Sequence, residues 1–113
     1  MAWAETQDNL GCALELLAES KGDVGLLQAA ISAFRQALVV RRREIGPLEW
    51  ATTKSNLGEA LRMLGEQKEQ PDLLTEAVNS GREALSEYSR TQWPLTWAML
   101  QFNRNRHELP HLR

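Results

Sequence analysis

Three asparagines, Asn9, Asn56 and Asn103, stand 47 residues apart. A carboxamide offers both a donor and an acceptor. A row of carboxamides can therefore pair with the N–H and C=O groups of a peptide backbone, whatever the peptide's side chains. Asparagine is a poor helix-interior residue, so its threefold recurrence in a helical pattern asks for a reason. At helical spacing Asn9 shares a stripe with Glu5, Cys12 and Leu16, and Asn56 shares one with Thr52, Glu59 and Met63. Asn103 shares a third with Met99 and Arg106, while Asp8, Ser55 and Phe102 flank the asparagines. Two readings fit. The asparagines bind an extended peptide, or they bond to neighbouring helices and hold the angle between them.

Other reactive types read more plainly. Cys12 is the only cysteine, so no second thiol can resolve a redox intermediate, and a structural thiol is expected. His107 and His111 have the i, i+4 spacing of a helical chelate, but Pro110 between them breaks a helix. No metal site is expected. Arg41-Arg42-Arg43 reads as a solvated last helical turn that complements the helix dipole. There is no Ser/His/Asp set, phosphate loop or zinc spacing. The expectation is a protein that is not an enzyme and needs no cofactor.

The elements that must position these residues come in a repeat. Trp3-Ala4, Trp50-Ala51 and Trp97-Ala98 are separated by 47 residues each time. The same offset relates Asn9-Leu10-Gly11 to Asn56-Leu57-Gly58, Leu26-Leu27 to Leu73-Leu74, Ala37-Leu38 to Ala84-Leu85 and Pro47-Leu48 to Pro94-Leu95. Each repeat holds two apolar patterns with spacings of three, four and seven, which place them on one face of a helix. Gly22-Asp23-Val24-Gly25, Gly46-Pro47, Gln70-Pro71-Asp72 and Trp93-Pro94 fall between the patterns as breakers. The predicted helices cover 2–21, 25–45, 48–69, 72–91 and 95–108, with Asp72 as an N-cap. Repeat 1 runs over about 3–46 and repeat 2 over about 50–93, in a single domain.

Within repeat 1 the signature reads Leu10-Gly11-x-x-Leu14, then Ala30-x-x-x-Phe34-x-x-Ala37. This resembles the tetratricopeptide repeat. The long period, the Pro47-Leu48-Glu49-Trp50-Ala51-Thr52-Thr53 start and the Asn-Leu-Gly core are similar to long bacterial repeats related to those of kinesin light chains. The resemblance covers essentially the whole chain. It implies an all-α, right-handed α-solenoid of antiparallel helix pairs, five helices in all. It also implies that the first helix of each pair lines a concave groove, with Asn9, Asn56 and Asn103 matching an asparagine ladder that binds extended peptides. The repeat is longer than the usual length of about 34 residues, and Gly81 replaces Phe34 in the second copy.

The fifth pattern decays. Leu10-Gly11 and Leu57-Gly58 become Arg104-Asn105, and Ala13-Leu14 and Ala60-Leu61 become His107-Glu108. Residues 95–108 therefore read as a C-terminal capping helix with a polar outer face. The first helix has no such cap, so Trp3 is a candidate for exposure, and either homo-oligomerisation through that helix or its stacking on an upstream repeat is expected.

Bulk properties narrow the class. The chain has 113 residues, is 42% hydrophobic and 25% charged, and carries a formal net charge of −2. Such a balance argues against a nucleic-acid binder. No apolar run approaches the roughly 20 residues of a membrane span, and no secretory signal is read at the N-terminus. One cysteine fits a reducing, cytoplasmic setting. The expected function is a scaffold that binds a peptide or protein segment in the groove, through Asn9, Asn56, Asn103, Asp8, Cys12, Ser55, Glu59, Phe102 and Arg106. The alternative is a structural self-assembly module, or one piece of a longer array attached to an effector domain.

Overall fold

A computed structural model describes residues 2–92, and these residues are all helix and short connections. Helix α1 covers Ala2–Lys21, α2 Val24–Val40, α3 Pro47–Lys68 and α4 Pro71–Gln92. The expected fifth helix, 95–108, lies outside the described residues, as do Asn103, Phe102 and Arg106. No described helix is long and apolar enough to cross a membrane.

The pairs are set by their connections. Two residues join α1 to α2 and two join α3 to α4, which forces each pair into a helical hairpin. Gly22 takes φ +65° after α1, and its N–H donates to Ala18 O at 2.6 Å. One repeat later Glu69 takes the same left-handed conformation, φ 53°, and caps α3 through its N–H to Gly65 O. Asp23 then starts α2, its carboxylate accepting from Gly25 N–H at 2.8 Å and Leu26 N–H at 3.3 Å. Pro47 and Pro71 occupy the first turns of α3 and α4, where the missing N–H costs nothing. Asp72 was expected to cap α4. It lies inside the first turn instead, favourably placed for the dipole.

Helices α1, α3 and α4 lie within one residue of their predicted ranges. α2 does not: it ends at Val40 rather than 45. Arg41 leaves the helix in an extended conformation, φ −81° and ψ 100°. The three arginines are thus not a solvated helical turn. Arg41 turns inward to Thr53 Oγ1 at 3.1 Å and Asp8 at 3.8 Å. Arg43 reaches Glu87 on α4 at 2.7 Å and lies 5.0 Å from the Trp50 ring centroid. Arg42 is exposed, and its carbonyl accepts from Ile45 N–H at 3.1 Å and Gly46 N–H at 2.9 Å.

The core lies between the hairpins. Leu27, Ala30, Ile31 and Phe34 of α2 pack with Leu57, Ala60, Leu61 and Leu64 of α3, closed by Ala18 and Ala77. Phe34, Leu27 and Leu61 are fully buried, each worth about 1.5–3 kcal/mol relative to exposure. Small residues set the spacing within each pair. A Cβ on Gly11 would stand 2.5 Å from Phe34 Cε1, and one on Gly58 would stand 3.2 Å from Ala77 O.

Candidate binding surface

The two described asparagines of the expected ladder are placed differently. Asn9 is exposed and Asn56 is half-buried. The Asn56 carboxamide donates to Asp8 at 3.3 and 3.4 Å. Asp8 is buried beneath Arg41. Asn56 thus takes part in a polar node that ties α1, the α2–α3 turn and α3 together. For this residue the packing role is observed. Asn9 instead lines a shallow hollow of about 290 Å³ with Glu5, Asp8, Arg41, Glu49 and Thr52. Donors and acceptors of both charges meet there.

The flanking candidates divide in the same way. Cys12 is half-buried against the core, and burial, then the nearby Asp8 and Glu15 carboxylates, push its thiol pKa up. That makes it a poor nucleophile at neutral pH. Ser55 is exposed on α3. Glu59 is held by Arg62, which also binds Glu66 at 2.9 Å, and the Arg62 hydrogen bond lowers the Glu59 pKa. Glu15 faces this cluster. Burial first, then the Glu59 and Glu19 charges, raise its pKa to about 7.

A second opening, of about 330 Å³, lies between α3 and α4. Gly58, Ala77, Val78 and Gly81 line its apolar part, and Ser55, Glu59 and Arg62 line its polar edge. Its origin is visible one repeat earlier. Gly11 corresponds to Gly58 and Phe34 to Gly81. In repeat 1 the Phe34 ring fills the space over Gly11. In repeat 2 a Cβ on Gly81 would find nothing within 4 Å. The Gly81 substitution was legible in the sequence. The helices do approach closely there, since a Cβ on Gly58 would stand 3.2 Å from Ala77 O and 3.5 Å from Gly81 N; the opening lies beside that contact, where the side chain of residue 81 would be.

Sequence reasoning passed over Glu87. It is fully buried, and Arg43 and Arg90 both donate to it. Burial alone would raise its pKa, but the hydrogen bonds from Arg43 and Arg90 prevail and lower it. A signal existed: Glu87 stands where repeat 1 has Val40. Among the described residues no three His, Cys, Asp or Glu side chains gather as a metal site would require. Comparison with family models, curated proteins and solved structures returns no match.

Proposed function

We propose that the protein is an interaction scaffold that takes a peptide or protein segment on the face of its first-of-pair helices, α1 and α3. The observation that carries this reading is the α3–α4 opening, where Gly81 leaves out the ring that Phe34 supplies in repeat 1. Its volume is near the lower bound of ligand pockets, about 300 Å³. An apolar floor with a few polar groups at the edge is the usual composition of such sites. An aromatic or branched apolar side chain of the ligand would fill it. The hollow around Asn9 supplies donors and acceptors suited to a peptide backbone. The solenoid arrangement, the fifth helix and kinship with tetratricopeptide repeats belong to this proposal, as does a role for Ser55, Glu59, Asn103, Phe102 and Arg106.

Selection from a random-peptide display library tests it. Wild type should enrich peptides that share an aromatic or branched apolar residue. Gly81→Phe, which puts a ring into the opening, should lose them, and Asn9→Ala should weaken them. Equal binding to Gly81→Phe would refute the anchor.

One observation favours a second reading, self-assembly. α1 exposes Trp3, Leu10 and Leu17, which at spacings of seven fall on one strip of the helix.

A further inference from the structure

We infer that α1 of one molecule docks on α4 of another, in the register in which α3 docks on α2 within each molecule. The inference rests on the self-assembly reading and names its partner surface and geometry.

The 47-residue offset allows equivalent positions to be compared directly. On α3 the stripe that meets repeat 1 is dry: Leu57 is 3% exposed, Ala60 0% and Leu64 5%. Its equivalents on α1 are wet: Leu10 is 47% exposed and Leu17 44%, and Ala13 is exposed as well. Trp3, 45% exposed, extends the same strip, where α3 has half-buried Trp50. α1 thus carries the side chains of a docking helix, and no described helix covers them.

α4 carries the reciprocal face. Ile31 on α2 is 7% exposed, whereas Val78 at the equivalent position of α4 is 51% exposed. Leu38 is half-buried, whereas Leu85 is 66% exposed. Gly81 lies between Val78 and Leu85 on the same strip. What α3 covers on α2 is therefore uncovered on α4.

The polar contacts translate in the same register. Arg43 lies over Trp50; one repeat on, Arg90 stands where it would meet Trp3 of the incoming molecule. Asn56 bonds Asp8; in the same register Asn9 of the incoming molecule meets Ser55. The chain's own next period keeps Trp97 at the start of the expected capping segment but not the apolar stripe that follows it. At the positions of Leu57, Ala60, Leu61 and Leu64 it has Arg104, His107, Glu108 and His111. The α1 stripe of a second copy complements α4 better, because burying those charged side chains against Val78 and Leu85 would cost desolvation.

The two faces differ, so the contact is heterologous. Each added molecule leaves one α1 and one α4 face free, and the assembly is open-ended. Sedimentation velocity over about a hundredfold range of concentration tests this, since association is a mass-action effect. Wild type should form a growing series of species. Leu10→Glu and Val78→Glu alter exposed residues on opposite faces, and circular dichroism establishes that each stays folded. Each variant alone should be monomeric. Mixed, they should form a 1:1 dimer and nothing larger, because one live α1 face and one live α4 face remain. Wild type that stays monomeric would overturn the inference. So would a Val78→Glu variant that still dimerises, the mark of a symmetric α1–α1 contact, or a mixture that does not associate. Val78 and Gly81 also line the α3–α4 opening, so the peptide selection is run on the Leu10→Glu variant, whose α1 cannot occupy the opening of another copy: peptide enrichment without wild-type association would overturn the docking alone.

Discussion

Phe34 rests on Gly11 so closely that a Cβ at residue 11 would stand 2.5 Å from its ring. Gly11→Ala should therefore push the ring out of place and destabilise the fold by about 1–3 kcal/mol, as overpacking does. Gly81→Ala should do the opposite. It meets empty space in mid-helix, so the gain in helix propensity, about 1 kcal/mol, has nothing to offset it. Urea unfolding midpoints check both. A destabilised Gly81→Ala would show that the opening is closed in solution.

Gly22 and Glu69 occupy one repeat position in the left-handed region, and only glycine does so without strain. Glu69→Gly should raise stability by about 1 kcal/mol, and Gly22→Ala should lower it by a similar amount. Thermal melts of the two variants against wild type measure this.

Glu15 makes the fold less stable as pH rises. Its folded pKa, about 7, lies above the ordinary 4.5. Below 4.5 both states are protonated and there is no penalty. Between 4.5 and 7 the unfolded chain gives up its proton first, so stability falls as pH increases. Above about 7 the penalty is complete. Glu15→Gln should match wild type near pH 4 and exceed it at pH 8. With solvent screening at this half-exposed site the gain is about 1 kcal/mol.

Glu87 has the opposite sign. Its folded pKa lies below the ordinary carboxylate value, so its stabilisation is present above that value and is lost as pH falls through the folded one. Glu87→Gln keeps the shape but gives up the charge on the bonds from Arg43 and Arg90, at a cost of about 1.5–3 kcal/mol at neutral pH. Denaturant titrations from neutral to acid pH should show the difference shrinking as wild-type Glu87 takes up its proton. A constant difference would assign the loss to packing.

Much of this was legible in the residues alone, because it depends on local rules. Periodic apolar residues, glycine after α1 and proline at the starts of α3 and α4 determine where helices begin and end. The 47-residue offset determines which positions are equivalent, and so that Gly81 stands in the place of a ring. The exception among the helix ends is instructive. Nothing local stops α2 at Val40. It ends there because Arg41 finds Asp8 and Thr53, and Arg43 finds Glu87 and Trp50, partners between 7 and 44 residues away. The site divides along the same line. Sequence marks Asn9 and Asn56 as identical, since they share type, spacing and helix position. Only the tertiary structure separates them: α3 has α1 beside it, so Asn56 spends its donor on Asp8, while Asn9 on α1 remains at the surface. Burial of Glu87, exposure of Leu10 and Leu17, and the opening over Gly81 were decided in the same way. Each depends on which neighbour is present, and a repeat pattern gives every copy the same face without saying which copy finds a partner for it.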